Sequence, residues 1–208
     1  MKTREELIEE LTEAGYVKNE RVRRAFETID RKRFVPERLK KEAYENRPLP
    51  IGDDQTISQP LTVAFMLELL DPRPGERILD IGSGSGWTTV LLAHIVGEKG
   101  TVRGVERIPT LCTFGKKNLA SFNFGDRARI ICGDATDPRI IGDSYDKILV
   151  SASASEEIPD RWRDAVKIGG SIVAPRGNSL LLLTKVSKND WDEKEYPGFV
   201  FVPLIQDS

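Results

Sequence analysis

The chain of 208 residues has two cysteines, one histidine and two methionines. Each scarcity closes off a class of function. Cys112 and Cys132 make no Cys-x-x-Cys pair and His94 stands alone, so no cluster offers the ligands of a structural or catalytic metal, and none is expected. Spacing by itself pairs no disulfide, and Cys132, inside an apolar run, reads as a small core residue. No run reaches the ~18 apolar residues of a membrane helix. The opening Met1-Lys2-Thr3-Arg4-Glu5-Glu6 has no apolar signal region, so a cytoplasmic protein with no membrane partner is expected. A field of one sign is also missing. Thirty-one Lys and Arg face 33 Asp and Glu, for a formal net charge of −2, and nothing draws the chain to nucleic acid. Its length suits one domain and a monomer, with residues 1–70 as a helical extension and 71–208 as the core.

What is present alternates. Leu7, Ile8 and Leu11, then Val22, Phe26 and Ile29, repeat at helical spacing. A Pro-, Gly- and Asp-rich loop is expected from Asn46 to Gln59, and Pro60 suits the first turn of a helix through Leu70. Beyond Asp71-Pro72-Arg73-Pro74-Gly75, strands are expected at 77–81, 101–105, 129–132, 145–151 and 171–175. Helices are expected at 87–96, 109–121 and 159–166. Two closing strands, 180–186 and 199–204, have no helix between them, so one of them runs antiparallel. The pattern specifies an α/β class: a doubly wound, mostly parallel seven-stranded sheet with helices on both faces.

The first core strand ends in Asp80-Ile81-Gly82-Ser83-Gly84-Ser85-Gly86. Glycines serve where backbone turns sharply and a ligand approaches closely, and the helix that follows exposes unpaired N–H groups. In the dinucleotide fingerprint the third glycine comes three positions after the second; here Gly86 follows Gly84 by two. Asp80 would repel a pyrophosphate, whereas it suits the cationic amino group of a methionine moiety. The spacing therefore favours S-adenosylmethionine over NAD. Glu106, 26 residues after Asp80 and followed by Arg107, is placed to accept ribose hydroxyls. Asp134, followed by Ala135, is placed to bond the adenine amine.

Narrower motifs run through the chain. They include Arg33-Phe34-Val35-Pro36, Pro48-Leu49-Pro50-Ile51-Gly52, Gln55-Thr56-Ile57-Ser58-Gln59-Pro60 and Val105-Glu106-Arg107-Ile108. Lys167-Ile168-Gly169-Gly170 and Phe201-Val202-Pro203-Leu204 complete the set. With these the sequence resembles the protein-L-isoaspartate O-methyltransferase family over almost its whole length. The resemblance implies a repair enzyme that methylates the side carboxylate of isoaspartyl residues in damaged proteins, with S-adenosylhomocysteine as the second product. It implies that Ser58 is the active-site residue; Thr56 is expected to shape the loop beside it. It also implies that the terminal strand from Phe201 through Val202, Pro203 and Leu204 lines the peptide site; Ile57, Gln59 and Pro60 are expected to line it as well.

The chemistry agrees. A carboxylate is already ionised at neutral pH, so methyl transfer to it needs no general base. A clamped Arg or Lys would stabilise the ground state and blunt the nucleophile. A neutral hydroxyl, that of Ser58, can orient the oxygen instead. Some positions depart from the family pattern. Asp54, beside Asp53, replaces a common glycine, and two acids there are expected to oppose a carboxylate substrate. Ala135 replaces another glycine and is expected to crowd the adenine. Ser151-Ala152-Ser153-Ala154-Ser155 replaces an alanine-rich segment that usually ends in proline. Two alternatives stay open: a methyltransferase of the same fold with another acceptor, and a silent paralogue that only binds cofactor.

Overall fold

A computed structural model describes residues 1–142, 144–152, 157–199 and 201. The first helix, α1 (Arg4–Glu13), is fixed by a reciprocal cap: the Glu6 N–H donates to the Thr3 hydroxyl, and the Thr3 N–H to the Glu6 carboxylate. Asn19 caps α2 (Glu20–Thr28), and short 3-10 turns follow at Arg31–Phe34 and Glu37–Leu39.

The stretch expected as pure loop holds a hairpin, β1 (Leu49–Gly52) with β2 (Gln55–Ile57), in which Leu49 faces Ile57. Three or four residues per strand, interrupted by Pro50 and Gly52, are too few for alternation to show in the sequence. Its turn runs through Gly52, Asp53 and Asp54 with φ of 112°, 50° and 55°. Aspartate visits this left-handed region more readily than most residues because its short polar side chain can bond locally. Helix α3 (Pro60–Leu70) begins with its proline in the first turn, as the sequence predicts.

The alternating core is β3 (Arg77–Ile81), α4 (Trp87–Val96), β4 (Thr101–Glu106), α5 (Pro109–Leu119) and β5 (Ala128–Cys132). It continues as α6 (Pro138–Ile141), β6 (Tyr145–Val150), α7 (Asp160–Ala165), β7 (Val166–Arg176), β8 (Ser179–Lys185) and β9 (Trp191–Pro197). The seven strands lie in the order β5-β4-β3-β6-β7-β8-β9. Only β8 opposes the others. Alternate residues feed opposite faces: Ile78 and Leu149 pack under α1 to α5, whereas Leu79, Ile81, Ile148 and Val150 pack against Trp162 and Ala165 of α7.

Two expectations need correction. The closing strand is β9, in the acidic stretch before Phe199. Asp192, Glu193, Lys194 and Glu195 are all exposed, which suits a sheet edge and hides the strand from a hydrophobic pattern. Most of the expected strand at 199–204 falls outside the described residues. Cys132 is exposed, because β5 is the opposite edge, and it is bonded to the buried Cys112 of α5.

Candidate active site

The chain leaves β3 toward β4 on one side and comes back to β6 on the other. Open α/β sheets bind ligands at the carboxyl ends of strands at such a switch point. A cleft opens there. Gly82 and Gly84 line it after β3, Glu106 and Arg107 after β4, Asp134 and Ala135 after β5, and Ser151 after β6. Ile51, Gln55 and Thr56 of the hairpin close one side.

The glycine loop is pinned from beneath. The Gly82 and Ser83 N–H groups donate to the Val105 carbonyl at 2.9 and 3.1 Å. The Glu106 carboxylate accepts from the Gly84 N–H at 2.8 Å through Oε2 and from the Ile108 N–H at 2.9 Å through Oε1. Each oxygen has a lone pair left over, so Glu106 reaches the cleft already oriented. A Cβ at Gly84 would stand 3.3 Å from Ile51 Cδ1 of the hairpin. Gly86 serves another purpose: its Cβ would lie 3.1 Å from Ile130 Cδ1 and 3.2 Å from the Gly115 carbonyl. Its bareness lets α4 start against α5, and it does not line the cleft.

Asp80 does not line the cleft either. It is fully buried, and its Oδ2 accepts from the hydroxyls of Thr88 and Thr89 at 2.7 and 2.6 Å. It braces the first turn of α4 from behind the loop. Burial pushes its carboxyl up to about 6, against the opposing pull of the two threonines.

A smaller compartment lies beside the cleft, lined by Thr56, Ile57, Ser58, Ser83, Ser85 and Trp87. Ser58 is not a helix cap. The N-cap of α3 is Gln59, which makes no side-chain capping bond. Among the described residues, the Ser83 hydroxyl and the Trp87 indole N–H are buried with no hydrogen-bond partner. An indole N–H can only donate, so this compartment is suited to an acceptor such as a carboxylate.

Other sequence candidates fall into place around these two spaces. Asp134 Oδ1 accepts from the Thr136 N–H and hydroxyl, both at 2.7 Å, while Oδ2 faces Arg107 at 3.9 Å. Ala135 lines the cleft, and its carbonyl accepts from the Trp162 indole at 2.9 Å. Gln59 and Pro60 line neither space: Gln59 Nε2 donates to the Asn46 carbonyl at 3.0 Å, and Pro60 is buried in α3. Asp53 and Asp54 also line neither. They sit exposed at the hairpin tip, where Asp53 accepts from the Thr110 hydroxyl at 2.6 Å. Val202, Pro203, Leu204 and Ser153 to Ser155 lie outside the described residues.

Sequence reading missed Arg31, which the structure buries behind Ser58. A charged residue between Asp30 and Lys32 carries no sign of burial in a linear pattern.

The residues present fit S-adenosylmethionine. Glu106 offers oriented oxygens able to accept from hydroxyls such as those of a ribose, and the glycine loop leaves backbone room. The Ser83 and Trp87 donors, without a partner among the described residues, suit an acceptor group.

The family model described as protein-L-isoaspartate(D-aspartate) O-methyltransferase (PCMT) matches residues 2–208. A protein-L-isoaspartate O-methyltransferase of Methanopyrus kandleri is 40% identical, across 98% of this chain and 92% of its own. That of Methanothermobacter thermautotrophicus is 39% identical, across 99% and 96%. A Plasmodium falciparum structure described as this enzyme, in complex with S-adenosyl-L-homocysteine, superposes with a TM-score of 0.87 at 25% identity, covering all of both chains. With the cleft, the oriented glutamate and the Thr56-Ile57-Ser58 segment in this arrangement, the chain belongs to the protein-L-isoaspartate(D-aspartate) O-methyltransferase family.

Proposed function

We infer that this protein transfers a methyl group from S-adenosylmethionine to the side carboxylate of isoaspartyl residues, with isoaspartyl peptides and proteins as its substrates. The observation that carries this reading is the position of Ser58, beside the glycine-loop cleft and free of a capping duty. Bound S-adenosylmethionine supplies the methyl group on a sulfonium. Glu106 and the loop from Gly82 to Gly84 hold the ribose and methionine portions, and Arg107, Asp134 and Ala135 stand at the adenine end. Ser58 orients the substrate carboxylate by hydrogen bonding, while Thr56, which lines both spaces, shapes the passage between them.

No group has to remove a proton. Methyl transfer joins opposite charges and makes them neutral, so exclusion of water by the covering hairpin would favour it. Among the described residues no helix is long and apolar enough to cross a membrane, and on this reading the enzyme is cytoplasmic and monomeric. The test is Ser58→Ala. Turnover should fall by about 100-fold while S-adenosylhomocysteine binds as before. Unchanged turnover would remove Ser58 from the reaction.

A further inference from the structure

Arg31 is 2% exposed. Its Nη1 donates to the carbonyl of Ala43 at 2.7 Å and to that of Glu45 at 3.4 Å. Its Nη2 donates to the carbonyls of Arg47 at 3.1 Å, Ile57 at 3.5 Å and Ser58 at 3.1 Å. The guanidinium carbon lies 5.3 Å from the centre of the Trp87 ring. One side chain thus ties residues 43–47 to residues 57–58, the two flanks of the hairpin that closes the cleft. Only a planar fork with several donors can reach so many carbonyls; a lysine ammonium has three donors on one atom.

The charge is harder to account for than the bonds. Among the described residues no carboxylate pairs with Arg31. The nearby acids Glu42 and Glu45 are engaged by Arg47. Burial lowers its pKa to about 9, and the Arg47 charge adds to this, so the cation persists at neutral pH. A buried charge without a counter-ion is expensive, and a neutral donor could have pinned carbonyls at less expense. The substrate brings the missing charge, a carboxylate, to Ser58.

We propose that Arg31 is a positioning residue for the substrate: a buried cation, one peptide group behind Ser58, that supplies the counter-charge for the carboxylate received there. It does not touch the substrate. The intervening Ser58 peptide prevents a bidentate ion pair, which would hold the carboxylate in its ground state. The cation therefore draws the anion in and keeps the Ser58 backbone in place, leaving the hydroxyl to set the angle. This rests on the carboxyl-methyltransferase reading above.

The test measures peptide binding by calorimetry with S-adenosylhomocysteine present, so that no turnover is needed. One peptide carries isoaspartate, and its analogue has that carboxylate replaced by a carboxamide. The wild type should bind the carboxylate peptide about tenfold more tightly than the carboxamide. In Arg31→Met the two should bind within about twofold of each other, with S-adenosylhomocysteine affinity unchanged. A purely structural pin would weaken both peptides by the same factor. That result, an intact preference in Arg31→Met, or no preference in the wild type would overturn the proposal.

Circular dichroism checks folding. Should Arg31→Met not fold, Arg31→Lys decides. It keeps the charge and loses most of the carbonyl bonds, so the preference should survive while kcat falls, and a lost preference would overturn the proposal. Ester formation by the wild type on the isoaspartyl peptide is scored separately. Failure there would sink the functional reading without touching the binding result.

Discussion

The Thr110 hydroxyl donates to the Asp53 carboxylate at 2.6 Å and so joins the tip of the β1–β2 hairpin to the first turn of α5. Ile51 and Thr56 of the hairpin and Leu111 of α5 line the same cleft, so the bond latches its two sides together. It is exposed, and its contribution is small. Thr110→Val should speed dissociation of S-adenosylhomocysteine about threefold with little change in melting temperature. Stopped-flow fluorescence would show this, and an unchanged dissociation rate would mean that the hairpin is held by packing alone.

Glu106 is oriented by two backbone N–H groups, those of Gly84 and Ile108. In Glu106→Gln one of the two must face an amide NH2 in place of an oxygen, whichever way the amide is turned. S-adenosylhomocysteine affinity should fall roughly 10- to 100-fold, read by calorimetry, while the fold survives. Undiminished affinity would place the ribose elsewhere.

The parts of this fold that could be read in the sequence are those where several physical signals agree. Strand β3 and helix α4 lie where the apolar runs and the glycine punctuation place them. The acids after β4 and β5 flank the cleft because strand ends converge there. Other parts could not be read, each for its own reason. The hairpin is too short to show a period. The charges of β9 are those of an exposed edge. Asp80 has the right spacing for a ligand, yet burial turns it toward Thr88 and Thr89. Asp53 and Asp54, read as a charge problem, are a turn that tolerates positive φ. Arg31 and the Cys112–Cys132 bond are long-range facts that no local pattern carries.

Asp80 gives the protein a pH signature. Its ordinary pKa of 3.8 rises to about 6 in the folded chain, with burial as the main cause. Below about pH 4 the carboxyl is neutral in both states. Between about pH 4 and 6 the folded state keeps a proton that the unfolded state releases, so stability falls as pH rises through this window and levels off above it. The effect is roughly 3 kcal/mol. Asp80→Asn lacks this titration, and its stability relative to wild type should climb from pH 4 to 6.5 by about that amount. Denaturant unfolding at several pH values checks it, and a constant difference would contradict it.

The Cys112–Cys132 bond closes a segment with a sequence separation of 20. Leu111, next to one cysteine, and Gly133, next to the other, both line the cleft. Reduction, or the double change to serine, should lower stability by about 3 kcal/mol and the melting temperature by roughly 6–12 °C. S-adenosylhomocysteine affinity should drop with it. Identical melting with and without reductant would mean that packing between α5 and β5 suffices.

The most direct measurement uses two peptides that differ in one residue, isoaspartate in one and aspartate in the other. Each is incubated with the protein and methyl-labelled S-adenosylmethionine, and base-labile methyl ester is counted. Label on the isoaspartyl peptide alone is the expected result. No label on either peptide, with cofactor binding confirmed by calorimetry, would contradict the assignment and show that the cofactor cleft serves another acceptor.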